Sequence, residues 1–265
     1  GGALCPALKA KGHEVTKLDS KTADLRDARS LDRFKAGAFD QIFHLAAWTQ
    51  AGDFCLTHAG EQWVINQQLN TNVLAWWQQR QPQAKMIAMG TSCSYAGPDF
   101  SEPAYMRGEP IESLYSYAMT KRMLHAGLLA LHKQFGLKYL SVVPATLYGP
   151  GYHTDGRQRH FIFDLMRKII RGKELGETVT LWGDGHQRRE VILVADFVEA
   201  FCQLAPVCHN ELVNIASGED HTIREFAGMI CEIIGYPAQK IKYDPQGFVG
   251  ARSKRLNVDK LHRLL

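Results

Sequence analysis

The sequence predicts an α/β fold, a doubly wound parallel sheet with a smaller substrate-binding lobe interleaved with it. Helix-like apolar segments alternate from the start with short β-rich runs, as βαβ units do. The runs Gln41-Ile42-Phe43-His44-Leu45-Ala46-Ala47 and Lys85-Met86-Ile87-Ala88-Met89 do not alternate in polarity, which is how a strand buried on both faces reads. After Pro144 the alternation turns irregular, and that change marks the lobe.

In chain order, residues 2–11 read as helix, 13–18 as strand, 28–34 as helix, 41–46 as strand, 63–80 as helix and 85–89 as strand. The glycine turn Tyr148-Gly149-Pro150-Gly151 and a polar stretch through Arg159 follow, then a helix over 161–172 and a turn at Leu181-Trp182-Gly183-Asp184-Gly185. The expected division is 1–148 plus roughly 190–217 for the sheet domain, and roughly 149–189 plus 218–265 for the lobe. A doubly wound sheet binds ligands at the carboxyl ends of its strands, so Leu45-Ala46-Ala47-Trp48 and Gly90-Thr91-Ser92-Cys93 should border a crevice.

Composition narrows the class. The chain has 265 residues, 45% of them hydrophobic, enough for one large core or a core plus a lobe. A net charge of +4 with no basic run interleaved with aromatics argues against a nucleic-acid partner. Cys5, Cys55, Cys93, Cys202, Cys208 and Cys231 are scattered, without C-x-x-C or zinc-ligand spacing, so reduced thiols in a cytoplasmic protein and no metal are expected. No apolar stretch approaches the roughly 20 residues that cross a bilayer, and no membrane association is expected.

Tyr117-Ala118-Met119-Thr120-Lys121 is Y-x-x-x-K, whose i, i+4 spacing puts the ammonium beside the phenol on one helix face. The charge should lower the phenol's pKa, and a phenol can exchange a proton with a carbonyl oxygen while a nicotinamide exchanges hydride with its carbon. By chance such a pair arises roughly once in two chains of this composition, so its weight comes from context. The context is Met89-Gly90-Thr91-Ser92-Cys93-Ser94-Tyr95, a hydroxyl-rich strand end preceding Tyr117, where Thr91 can bond the same oxygen.

With Pro144-Ala145-Thr146-Leu147-Tyr148-Gly149-Pro150 following, the chain resembles the extended short-chain dehydrogenase/reductase family, whose fold is Rossmann-like. The likeness also runs through Asp24-Leu25-Arg26-Asp27, His44-Leu45-Ala46-Ala47, Asn66, Asn72, Trp182-Gly183-Asp184-Gly185, Arg189-Glu190, Asn214-Ile215-Ala216-Ser217-Gly218 and Thr222-Ile223-Arg224-Glu225. Such folds ordinarily open with a strand and a glycine loop, whereas this chain starts at Gly1-Gly2-Ala3-Leu4, already helix-like. The first strand and most of that loop are expected to lie outside it.

Within that family the chain is most similar to enzymes that epimerise and reduce a GDP-linked 4-keto-6-deoxy sugar. The resemblance implies Thr91, Cys93, Tyr117, Lys121 and His160 as the catalytic set. A C4 ketone acidifies its neighbouring carbons, and inversion needs a base on one face and an acid on the other, tasks that Cys93 and His160 suit. Either alone reads more simply as a buried small residue or a helix cap.

The cofactor side is expected at Gly1, Asp19, Asp24, Leu25, Leu45, Ala46, Ala47, Tyr117, Lys121 and Pro144. Asp19 suits the ribose hydroxyl of NAD and Lys21 the phosphate of NADP; the resemblance favours NADPH, with NAD open. Lys168, Trp182, Arg189, Arg252 and Lys254 are expected on the nucleotide sugar, the basic groups near its diphosphate. The similar enzymes carry Arg at Lys168 and Asn at Thr146, which leaves the sugar open. A homodimer joined through the 63–80 helix and the Tyr117 helix is implied as well. The alternatives are another nucleotide-sugar C4 epimerase or 4-reductase, a 4,6-dehydratase, disfavoured because Cys93 stands where an Asp-Glu pair is expected, or a non-catalytic nucleotide binder.

Overall fold

A computed structural model describes residues 1–152, 155, 159–246 and 252–265. Its elements are α1 (Leu4–Ala10), β1 (Gln41–His44), α2 (Phe54–Thr57), α3 (Ala59–Arg80), β2 (Lys85–Met89), α4 (Tyr115–Phe135), β3 (Tyr139–Pro144) and β4 (Thr146–Tyr148). Then come α5 (Phe161–Leu175), β5 (Thr180–Trp182), β6 (Arg188–Leu193), α6 (Val194–Val207), β7 (Glu211–Ile215), β8 (Asp220–Thr222), α7 (Ile223–Ile234), β9 (Lys242–Asp244) and α8 (Asp259–Leu264).

The main sheet runs β1-β2-β3-β7, every pair parallel. Strand side chains alternate between faces, and β2 shows the consequence. Met86 and Ala88 pack with Trp76 and Trp77 of α3 and Leu124 and Leu128 of α4, whereas Ile87 packs on the other face with Leu4 and Leu8 of α1 and Phe197 and Phe201 of α6. Helices on both faces are what the unalternating run 85–89 predicts. β1 is different: as an edge strand of this sheet it is only half-buried, and it ends at His44 rather than Ala46.

Two further expectations need correction. Residues 13–18 form no regular element and pair with no strand among the described residues, and Val15 merely packs against the sheet's core. A strand exists only where a neighbour accepts its ladder, whatever its β propensity. Residues 28–34 form turns instead of a helix, with Ser30 N–H donating to Asp27 O, Asp32 N–H to Arg29 O and Phe34 N–H to Leu31 O. The Asp24 and Asp27 carboxylates capture the N–H groups of Arg26 and Arg29 and compete with helical pairing.

The lobe carries its own core. Ile162, Leu165 and Ile169 of α5 meet Phe226, Ala227 and Ile230 of α7 over Val179 and Leu181. The spacing 223, 226, 227, 230, 231 gives α7 its buried stripe. A capping box starts it: Thr222 accepts from the Glu225 N–H, and Glu225 accepts from the Thr222 N–H. Two small sheets, β4-β6-β8 and β5-β9, complete the fold. The lobe's last segment returns to the main sheet, where Leu256, Val258 and Leu261 join the core. Among the described residues no helix is long and apolar enough to cross a membrane.

Asn214, fully buried on β7, fixes that return. Its side chain donates to Phe100 O (2.9 Å) and Asn257 O (3.0 Å), accepts from Tyr95 Oη (2.7 Å), and its N–H donates to Glu102 (3.0 Å). An unpaired buried polar group costs about 1–3 kcal/mol. Asn214→Leu orphans three of them, so urea denaturation should show a loss of about 2–4 kcal/mol, and Tyr95→Phe about 1 kcal/mol; equal stability of Asn214→Leu and the parent chain would contradict the pin.

Candidate active site

The carboxyl end of β2 leads through Gly90 into the hydroxyl turn. A Cβ at Gly90 would stand 2.8 Å from Tyr105 Oη, so the strand must leave the sheet on a glycine. Thr91 is extended and buried, and its hydroxyl accepts from the Cys93 N–H (3.3 Å), shaping the single 3-10 turn Ser92–Ser94. Ser94 Oγ donates to Ala118 O (3.1 Å) on α4. Arg122, buried without a carboxylate, donates to Ser94 O, Gly108 O and Arg107 O. The turn is thereby bolted to the α4 face that carries Tyr117.

Tyr117 and Lys121 share that face, with Lys121 Nζ 5.9 Å from the ring centroid. The expected effect of the ammonium on the phenol is not what the structure has. Burial pushes the Tyr117 phenol well above its ordinary value, and the neighbouring Cys93 adds to the rise. Burial also pulls Lys121 down to about 8. Desolvation opposes both charged forms, and it outweighs the attraction across this pair. Tyr117 is therefore a protonated phenol at neutral pH, suited to giving a proton rather than taking one.

Behind Lys121 lies His44, buried at the end of β1 and held down to about 4 by burial and by the Lys121 charge. Its Nε2 donates to Asn70 Oδ1 (3.0 Å), and Asn70 donates to Thr120 O (3.3 Å), so β1, α3 and α4 are joined beneath the catalytic face. After β1, Leu45, Ala46 and Ala47 lie half-buried beside Trp48, whose N–H and C=O are both gripped by Asn66 (2.8 and 3.0 Å). Asn72 donates to Leu25 O and Arg26 O (2.9 and 3.0 Å), setting the 24–27 loop against α3. There Arg26 bonds Asp24 and holds its carboxyl at about 2. The Asp19 carboxylate accepts from the Lys21 and Thr22 N–H groups and closes its own turn. Gly1 precedes α1, its carbonyl accepting from Cys5 N–H, and Pro144 ends β3 opposite Ile215.

A nicotinamide dinucleotide fits these residues. Lys121 is a buried ammonium that meets no acid among the described residues, and its N–H groups suit ribose hydroxyls, with the 45–48 and 24–27 backbones fixed alongside.

On the lobe side, Ser92, Ala145, Thr146, Arg189, Glu190, Lys254 and Leu256 line a small cavity next to the hydroxyl turn. Burial lowers the Arg189 pKa. Lys254 Nζ lies 3.2 Å from Cys93 Sγ. Burial pushes the Cys93 thiol up, but Lys254 and the Thr91 hydroxyl pull it down further, and the net shift is downward. Lys168 pairs with Asp164 (3.1 Å) and lies over the exposed Trp182 ring (5.2 Å). Arg252 is exposed, and its carbonyl accepts from the Arg188 N–H (2.9 Å). His160 caps α5, exposed, its N–H donating to Tyr152 Oη (3.0 Å).

The structure thus joins Thr91, Cys93, Tyr117, Lys121 and Lys254 in one neighbourhood, and Lys168 with Trp182 in another. Sequence reasoning missed Arg122 and Asn70, as well as the part Glu190 plays under the returning tail and the part His44 plays under Lys121. Their only signal is polarity inside apolar patterns, and that does not say which way a side chain turns.

Residues 1–216 match the family described as NAD dependent epimerase/dehydratase family. Among curated proteins, dTDP-4-dehydro-6-deoxy-D-allose reductase of Streptomyces sp is 28% identical, over 96% of this chain and 77% of that protein. GDP-L-fucose synthase of Escherichia coli (strain K12) is 26% identical, over 100% and 87%. Among solved structures, a GDP-L-fucose synthetase from Naegleria fowleri bound to NADP superposes with a TM-score of 0.84 at 21% identity, over 100% of this chain and 84% of that one, a likeness of fold.

Lys121 makes stability depend on pH. Its folded pKa lies below its unfolded value, so the buried charge costs stability below about pH 8, and stability recovers as the pH rises from about 8 toward 10.5. Lys121→Met should therefore stabilise the cofactor-free chain at pH 7, by on the order of 2 kcal/mol, with the gain shrinking by pH 10. Thermal unfolding at both pH values checks this; a variant less stable at pH 7 would refute it.

Proposed function

Because the chain belongs to the NAD dependent epimerase/dehydratase family, we propose that it is an NADPH-dependent epimerase/reductase of a GDP-linked 4-keto-6-deoxy sugar. The observation that carries this reading is the meeting of the Thr91–Cys93 turn with the Tyr117–Lys121 face of α4, a thiol with a lowered pKa beside a phenol with a raised one. The similarity to GDP-L-fucose synthase supports the guanine nucleotide, and the NADP-bound structural relative supports the cofactor. A second reading, reduction at C4 without epimerisation, is favoured by the similarity to a dTDP-4-dehydro-6-deoxy-D-allose reductase.

When bound, the nicotinamide supplies hydride at C4. Tyr117 gives its proton to the C4 oxygen, and Thr91 bonds the same oxygen. Lys121 would hold the cofactor's ribose and keep positive potential beside that oxygen. Before reduction, Cys93 and His160 act on opposite faces of the sugar, one removing and the other returning the proton next to the ketone. Arg189 and Arg252 serve the diphosphate, while Lys168 and Trp182 receive the nucleoside side. Residues 1–148 with 190–217 form the cofactor domain, and 149–189 with 218–265 the sugar lobe.

The assembly is a homodimer through α3 and α4, supported by the groove between them, lined by Leu74, Met123, Gly127 and Ala130, and by the exposed Trp63 and Val64. The free cysteines suit a cytoplasmic setting.

Cys93→Ser and His160→Gln should slow deuterium incorporation from solvent next to the ketone of a GDP-4-keto-6-deoxy sugar by at least about 100-fold, since general acid–base groups contribute roughly 10²–10⁴. Both should still reduce a ketone already epimerised. Tyr117→Phe should do the reverse, keeping exchange and cofactor binding while losing reduction. Wild-type exchange in both Cys93→Ser and His160→Gln would remove the epimerase step and leave the simple 4-reductase.

A further inference from the structure

We propose that Lys254 holds Cys93 as a thiolate and is the residue that positions the charge of that sulfur for proton removal. This rests on the epimerase reading above.

Geometry carries the assignment. Lys254 Nζ is 3.2 Å from Cys93 Sγ in a partly buried setting, and among the described residues no carboxylate pairs with Lys254. Its charge is therefore directed at the sulfur. The segment that delivers it is not loose: the Leu256 N–H, two residues on, donates to the buried Glu190 carboxylate (2.8 Å), which also accepts from Gly218 N–H and Ser217 Oγ. The groups facing Cys93 are otherwise the hydroxyls of Thr91, Tyr105 and Tyr117 and the buried thiol of Cys55, none anionic at neutral pH. A cation within contact distance of a thiol surrounded by neutral groups favours the ionised form, by the same physics that activates other catalytic cysteines.

In the step itself the C–H bond next to the ketone breaks and an S–H bond forms. The C–H pair becomes the ring's C=C bond, and the carbonyl π pair moves to the C4 oxygen, which Tyr117 and Thr91 face. Lys254 stays protonated throughout. Its role is to set the thiolate population before the sugar is attacked.

The test is the pH profile of Cys93 alkylation by iodoacetamide in the cofactor-free chain, read from the Cys93 peptide by mass spectrometry. In the parent chain the midpoint should fall below about 8.5, the ordinary cysteine value. Lys254→Met should raise it by about one to three pH units and slow alkylation at pH 7 by about tenfold or more, whereas Lys254→Arg should keep the parent profile. A parent midpoint at or above the ordinary value overturns the proposal even if Lys254→Met does not fold. So does a Lys254→Met profile matching the parent, or equal shifts in the Met and Arg variants, which would make the effect one of packing. Deuterium exchange in Cys93→Ser separates the two readings. If the midpoint follows Lys254 but exchange runs at the wild-type rate in both Cys93→Ser and His160→Gln, the ion pair stands and the epimerase reading falls; if exchange needs Cys93 but the midpoint ignores Lys254, only this inference falls.

Discussion

The Glu190 carboxylate, buried at the start of the cavity, is the constraint on which the site's lobe side depends. It accepts from backbone N–H groups at Leu256 and Gly218 and from the Ser217 hydroxyl, so one side chain of β6 gathers the loop after β7 and the returning tail. Burial raises its pKa even though these donors oppose the rise. Three donors satisfied at once explain why a carboxylate tolerates that place: without it, the buried Leu256 N–H would lose its partner, at a cost of about 1–3 kcal/mol. Because Lys254 lies two residues before Leu256, the same anchor decides where a cation meets the hydroxyl turn.

The sheet side works by a related device. Parallel strands end where the chain must become irregular, and irregular backbone needs partners when it is buried. Arg122 supplies them for the turn after β2, Asn66 for Trp48 after β1, and Asn214 for the 100–102 and 257 segments beside β7. In each case a side chain on a regular element replaces the ladder that the loop has lost. The backbone bordering the site is consequently held by pins that belong to the core.

How much of this the sequence discloses depends on the kind of interaction. The run 85–89 reads directly as a doubly covered strand because burial on two faces removes polarity from every position, and β2 has those bounds. Y-x-x-x-K reads directly because helix spacing alone brings its partners together. The strand expected over 13–18 is not formed, since pairing depends on a neighbour that propensity does not reveal, and the helix expected over 28–34 gives way to aspartate-closed turns. Lys254 illustrates the remaining limit. Its charge is plain in the sequence, but that it stands beside a thiol 161 positions away is visible only in the fold.

The protonation states make the same point in energetic form. Tyr117 and Cys93 are neighbours, and burial alone raises both pKa values. They diverge because cations are not shared equally. Lys121, itself pulled down to about 8, gives the phenol too little to offset its desolvation, whereas Lys254 touches the sulfur and the Thr91 hydroxyl supports it. An acid and a base with separated affinities for protons can then coexist within one cleft, which is the condition for running proton removal and proton donation at a single pH. Exchanging which of the two lysines lies in contact would exchange the roles, so the chemistry resides in where the cations stand more than in the presence of a phenol and a thiol.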